Sequence, residues 1–149
     1  MTVRRVRPLL LSTPSSTRRV STRLASPYIA NIHNAAEKGK LSSVQYLVEI
    51  EKENVETKGW NGRTPLHYAS WYGHLDIVKY LFEECHSNVE AIDNYGYTPL
   101  HRASANGHLD VVKYLVGECH CNVEAKDEDE CTPLHWASIK GHLDRISGP

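Results

Sequence analysis

The sequence predicts an α-helical repeat solenoid: helix–turn–helix units stacked in one row, joined by short hairpin loops. Three observations predict it. Thr64-Pro65-Leu66-His67 recurs at Thr98-Pro99-Leu100-His101 and again at Thr132-Pro133-Leu134-His135. Gly-His-Leu-Asp begins at Gly73, Gly107 and Gly141, and Asn-Val-Glu begins at Asn54, Asn88 and Asn122, every spacing being 34 residues. Residues 64–93 and 98–127 share 22 identities in 30 aligned positions. A fixed period of this length is the mark of stacked supersecondary units. A fainter unit precedes them, with Ile32-His33, Ala35 and Gly39 in register.

Each element follows from local chemistry. Thr64 suits an N-cap and Pro65 the first helical position, where no N–H is needed. The first helix then runs from Pro65 to about Tyr72, and Gly73 ends it by taking a positive φ. Its inward face is Leu66, Ala69, Ser70 and Gly73, small enough for close helix approach. A second helix follows over about Leu75–Glu84, with Asp76 favouring its positive end and Leu75, Val78 and Leu81 on one face. The stretch from His86 to Tyr97 reads as extended and turn-rich, with Asn94-Tyr95-Gly96 at its tip. No single unit buries its own apolar face. A stack does, each repeat covering the next, with about 1.5–3 kcal/mol from each buried Leu or Val.

The Thr-Pro-Leu-His-x-Ala segments, followed by Gly-His-Leu-Asp and Val-Lys-Tyr-Leu, resemble ankyrin repeats over about residues 28–144. The resemblance implies repeats at about 28–58, 59–92 and 93–126 and a partial one at 127–149. It also implies a curved solenoid that binds other proteins and has no catalytic chemistry. The sequence departs from the family pattern in four places. The extra residue of the 34-residue period falls in Glu84-Cys85-His86-Ser87 and Glu118-Cys119-His120-Cys121, which puts the usual exit turn in question. Glu130 stands where the other tips have Gly62 and Gly96, so a distorted last tip is expected. Ala30-Asn31-Ile32-His33 replaces the Thr-Pro-Leu-His motif in the first unit. After Gly141-His142-Leu143-Asp144 the pattern stops, which predicts fraying of the last repeat or self-association through it.

The copies differ from one another at Tyr68/Arg102, Trp71/Ala105 and Tyr72/Asn106, which share one face of the first helix. They differ also at the tips: Trp60-Asn61-Gly62-Arg63, Asn94-Tyr95-Gly96-Tyr97 and Glu128-Asp129-Glu130-Cys131. The resemblance places these positions on a concave surface that grips partners. The expected contact residues are therefore Trp60, Asn61, Arg63, Trp71, Tyr72, Asn94, Tyr95, Tyr97, Asn106, Glu128 and Asp129. Trp, Tyr and Arg dominate interface hot spots. They would form an aromatic groove with an acidic end at Asp127–Glu130, suited to a partner with apolar anchors and basic residues. The competing reading is that Trp71 and Tyr72 merely cover neighbouring repeats.

Other chemistry is weakly signalled. The sequence has nine histidines, but His67, His101 and His135 recur at helix starts and His74, His108 and His142 at inter-helix turns, a regularity that reads as architecture. Cys85 and Cys119 occupy equivalent places in adjacent repeats, where stacking at roughly 8–10 Å exceeds disulfide reach. Cys119-His120-Cys121 with Cys131 matches no usual zinc spacing. No nucleophile elbow, phosphate loop or dinucleotide fingerprint occurs. No enzyme activity, cofactor, metal or small-molecule substrate is expected.

The 149 residues carry a net charge of −1, with 40% hydrophobic and 23% charged residues. No apolar run is long enough to span a membrane. The charge is the sum of unlike parts. Residues 1–36 hold Arg4, Arg5, Arg7, Arg18, Arg19 and Arg23 and no acid, and the remainder carries −7. Residues 1–27 read as a disordered tail, as a mitochondrial presequence interrupted by Pro8, Pro14 and Pro27, or as a contact for nucleic acid or anionic membrane. Arg18-Arg19-Val20-Ser21 resembles a basophilic kinase site. The chain is expected to be a cytoplasmic adaptor, scaffold or competitive blocker that binds a protein, with nucleic acid not expected as partner. The alternatives are a mitochondrial or nucleic-acid-associated protein whose tail carries the activity, and a piece of a longer array. The basic tail could also fold back onto the acidic end of the groove.

Overall fold

A computed structural model describes residues 31–141. Expectations for residues 1–27 and for His142–Asp144 lie outside the described residues. Seven α-helices form two layers. The first layer is α1 (Ile32–Lys38), α3 (Pro65–Tyr72), α5 (Pro99–Ala105) and α7 (Pro133–Ile139); the second is α2 (Leu41–Glu49), α4 (Leu75–Glu83) and α6 (Leu109–Gly117). Each first-layer helix packs on the next, as do the second-layer helices, and α1, α3 and α5 each pack on the helix that follows them. The arrangement is an α-helical repeat solenoid.

The caps are those that the motif predicts, with one addition. The Thr64, Thr98 and Thr132 hydroxyls accept the amides of His67, His101 and His135. Each imidazole Nδ1 accepts the threonine's own amide in return, at 3.1, 3.1 and 2.9 Å. Histidine thus fills the reciprocal place that glutamate or glutamine takes in a capping box. Unlike them, it has a second ring nitrogen. His67 Nε2 donates to the Tyr97 carbonyl at 2.8 Å and His101 Nε2 to that of Cys131 at 2.9 Å. One side chain therefore closes a helix start and holds the loop of the next repeat. In the first unit Asn31 is the cap, and His33 reaches the Thr57 carbonyl at 2.9 Å.

The core runs through the stack as recurring small and branched residues. Ala35, Ala69, Ala103 and Ala137 are fully buried at the spacing of the repeat, where a larger side chain would force the first helices apart. Ile32, Leu66 and Leu100 accompany them, and Val44, Val78, Val112, Leu47, Leu81 and Leu115 come from the second layer. Leu75, expected on the apolar face, is only partly buried; Ile77 and Tyr80 join that face instead. Tyr80 and Tyr114 reach back to Glu49 and Glu83 of the preceding second helix.

The inter-helix histidines fix the turn glycines. His74 donates to the Glu37 carbonyl at 2.9 Å and His108 to that of Trp71 at 2.8 Å. Each ring lies against the glycine of the preceding repeat. A Cβ at Gly73 (φ 77°) would sit 2.5 Å from the His108 ring, and one at Gly39 (φ 76°) 2.6 Å from the His74 ring. These positions are glycine for backbone and packing reasons together.

Three expectations need correction. The second helix of the 64–93 unit ends at Glu83, with Glu84 as its cap. The exit turn, in question because no glycine is present, is regular: Lys52, His86 and His120 adopt φ of 62°, 57° and 57°. The amides of Glu53, Ser87 and Cys121 then bond to the carbonyls of Leu47, Leu81 and Leu115, the long bond of a Schellman close. That bond offsets a left-handed cost of about 1–2 kcal/mol. The tip at Glu130 is not distorted. Glu130 takes φ 65°, and the Glu130 and Asp127 amides make the bonds to Asp127 and Cys131 that Gly96 and Asp93 make to Asp93 and Tyr97. The loops themselves are turns, with no strand among the described residues. Neighbouring tips are joined by the Asn94 amide to the Asn61 carbonyl at 2.9 Å and by the Glu128 amide to that of Tyr95 at 3.2 Å.

Two glycine substitutions should move stability in opposite directions. Gly73→Ala should lower the unfolding free energy by about 2 kcal/mol or more, from the left-handed backbone and the displaced His108 ring. Gly117 ends α6 with open space around its Cβ position, so Gly117→Ala should raise stability by about 0.5–1 kcal/mol. Urea unfolding of both variants checks the pair.

Candidate functional site

The first-layer helices and the loop tips present one continuous face, and its chemistry starts from a buried acid. Asp93 begins the second tip, and its side chain is wholly buried. Its Oδ1 accepts the amides of Tyr95 and Tyr97 at 2.9 and 3.1 Å, an Asx-turn that shapes the tip. Its Oδ2 takes Arg102 Nη2 at 2.5 Å and lies 3.7 Å from Arg63 Nε. Burial alone would raise this carboxyl; the bonds from Arg102 and the two amides outweigh it and hold Asp93 below the usual carboxylate range. Asp127 repeats the design one unit on. Its Oδ1 accepts the amides of Asp129 and Cys131 at 2.8 and 3.0 Å, and its Oδ2 takes the Trp136 indole N–H at 2.6 Å. It too is held below its usual range, against burial, by the Trp136 bond and those amides.

Two carboxylate–arginine contacts organise an aromatic ladder. The Arg63 guanidinium stacks 5.5 Å from the Trp60 ring centre and 4.4 Å from that of Trp71. Arg102 stacks on Trp71 as well, at 4.6 Å, and on Tyr97 at 4.2 Å. Tyr97 in turn meets Trp136 edge-on at 5.5 Å. Cations and rings thus alternate from Trp60 to Tyr97, and the Tyr97–Trp136 ring pair carries the row into the next repeat. Each contact is worth about 0.5–2 kcal/mol, more where water is excluded.

The expected contact residues fall into two groups. Trp60 is 75% exposed, Tyr95 45% and Tyr72 44%. Asn94, Glu128 and Asp129 are exposed as well. Asn61 is half-buried, with its carbonyl held by Asn94. Trp71 and Tyr97 are half-buried members of the ladder. Asn106 is exposed, but its amide nitrogen spans to the Trp71 carbonyl at 3.2 Å. Arg63 departs from expectation. It is 7% exposed, because Asp93, Trp60 and Trp71 enclose it. Asp127, expected in the acidic tip, is likewise buried, so the exposed acids there are Glu128, Asp129 and Glu130. Tyr72 stacks on Trp71 at 5.8 Å and on His74 at 6.4 Å and still remains exposed.

Sequence reasoning missed Asp93, Arg102 and Trp136. A signal was present: the partner of each tip aspartate lies nine positions on, at the fourth residue of the following helix. The Cys119 and Cys121 thiols serve the core. Burial pushes Cys119 up to about 11 and Cys121 up to about 12, which keeps both protonated and unreactive. Among the described residues no helix is long and apolar enough to cross a membrane.

A family model described as ankyrin repeats (3 copies) matches residues 32–127 and 85–147. Comparison with curated proteins finds no match.

Removing the central acid should be far more damaging than removing its counterpart. Asp93→Ala leaves two enclosed guanidinium groups and two tip amides without an acceptor, an expected loss of about 3–5 kcal/mol. Asp127→Ala frees only a neutral indole and two amides near the surface, and should lose about 1–2 kcal/mol. Equal losses in urea unfolding would contradict the assignment.

Proposed function

Because the chain belongs to the ankyrin repeat family, we propose that it recognises a partner protein through the face formed by its first-layer helices and loop tips. The observation that carries this reading is the placement of Trp60, Tyr72 and Tyr95. They are large, exposed and on one face, and each rests on a neighbour that limits its freedom. Trp60 lies against Arg63, Tyr72 on Trp71, and Tyr95 beside Tyr97 at 6.0 Å. Aromatic side chains already held in place lose little entropy on binding, which is what makes such residues anchors. The exposed acids at the last tip add a preference for basic groups nearby.

The Asp93, Asp127, His67 and His101 side chains are committed to internal bonds, so the reading assigns no reaction to them. Asp93 and Asp127 shape tips, and His67 and His101 hold caps and loops. Whether recognition serves an adaptor, a scaffold or a competitive blocker depends on the partner.

Proximity labelling with the full chain and a Trp60→Ala, Tyr72→Ala, Tyr95→Ala variant tests the reading. Trp71 is left intact because it supports two arginines. The variant should keep its helical signal and melting temperature within a few degrees and lose the proteins labelled by the parent chain. An unchanged labelled set from a folded variant would overturn the proposal.

A further inference from the structure

The same face contains a slot whose chemistry is narrower than that of the face as a whole. The helix position that holds Trp71 in α3 holds Ala105 in α5, and the small side chain leaves a gap. Trp71 and Trp136 flank it, Tyr97 and Arg102 back it, and Lys140 stands at its rim, around a volume of about 230 Å³. That is below the range of drug-sized ligands, about 300–1,000 Å³, and suits one side chain.

Three aromatic rings around a cavity ordinarily favour a cation. Here that role is taken. The Arg102 guanidinium is stacked on Trp71 and Tyr97, and Arg63 and Arg102 share the single carboxylate of Asp93. The other carboxylate nearby, Asp127, is bound to the Trp136 indole and two tip amides, so with Lys140 one positive charge remains in excess. Lys140 is exposed and has no ion-pair partner among the described residues. A second cation entering the slot would meet like charge on two sides. An apolar ring would meet rings and the Ala105 methyl, and a carboxylate beside it would meet Lys140.

The geometry points to a specificity pocket at Trp71–Ala105–Trp136 for a partner segment that inserts an apolar side chain with an acidic neighbour. This inference rests on the recognition reading above and gives it a sign. The helix side of the face selects acidic–apolar sequence, whereas the tip at Glu128, Asp129 and Glu130 selects basic groups.

The chain contains three tryptophans, so nitrogen-15 NMR of the intact protein gives three indole N–H signals to follow. The probes are N-acetyl-Phe-Asp-amide, N-acetyl-Phe-Lys-amide and N-acetyl-Gly-Asp-amide. The Phe-Asp probe should shift the Trp71 and Trp136 signals in the millimolar range and leave Trp60 unmoved. The Phe-Lys probe should bind at least about threefold more weakly, the size of one exposed charge pair, and the Gly-Asp probe should leave all three signals in place. Ala105→Phe should abolish the Phe-Asp shifts, and Lys140→Glu, which leaves the slot open, should reverse the preference between Asp and Lys. Equal or stronger binding of Phe-Lys, shifts centred on Trp60, or no shift at millimolar probe would overturn the assignment. If the dipeptides fail while partner labelling still depends on Trp60, Tyr72 and Tyr95, the pocket falls and the recognition reading stands. If labelling is also independent of those residues, the recognition reading falls with it.

Discussion

A neutral imidazole bonded at both nitrogens is the constraint on which the rest of this structure depends. His67 accepts the Thr64 amide at Nδ1 and donates to the Tyr97 carbonyl through Nε2; His101 does the same between Thr98 and Cys131. A backbone amide can only donate and a carbonyl can only accept. The two bonds therefore fix both the tautomer and the charge of the ring. A helix start in one repeat and the loop of the next cannot move independently while that ring holds them. In a solenoid, where stability is a sum of repeats and nearest-neighbour interfaces, a bond of this kind belongs to the interface.

The face proposed for recognition inherits its order from this link. Fixing the Tyr97 carbonyl sets the Tyr97 ring, which stacks on Arg102 and meets Trp136. Arg102 is held by Asp93, whose other oxygen shapes the tip carrying Tyr95. The exposed aromatics therefore stand on a frame of buried charge. A buried ion cluster is not in itself a stabilising device, since desolvation offsets most of its attraction. Its value here is geometric: it gives the side chains between two repeats a single arrangement.

Much of this was legible in sequence because each helix is punctuated by side-chain chemistry. Thr-Pro starts and Gly stops are local signals: α3, α5 and α7 begin where Thr-Pro stands, and the first-layer helices end within two residues of the turn glycine. The architectural reading of the histidines also followed from their regular recurrence, since a ligand or catalytic residue has no reason to repeat in every unit. What was not legible depended on contacts across repeats. Arg63 looks like an exposed tip residue until Asp93, 30 positions on, is placed beside it. Asp127 looks like one of four tip acids until its carboxylate is seen to accept two amides and the Trp136 indole. That same carboxylate explains why Glu130 tolerates a positive φ where glycine was expected. The exit turns are similar: no glycine marks them, and the long amide–carbonyl bond of the last turn holds His86 and His120 left-handed.

The imidazole link also has a sign in pH. Burial, only partly offset by the bond to Tyr97, pushes His67 down to about 4 from an ordinary 6.5, and burial lowers His101 as well. The unfolded chain therefore takes up a proton first. The contribution to stability is complete above about pH 6.5 and is lost as the pH falls toward about 4, on the order of 3 kcal/mol for His67. Glu53, raised chiefly by burial, acts in the opposite sense. The most direct measurement is an NMR titration of the ring nitrogens of His67 and His101 in the folded protein. The account predicts neutral rings protonated at Nε2 at pH 7, with His67 titrating near pH 4. A His67 ring that titrates near 6.5, or that carries its proton on Nδ1, would contradict it.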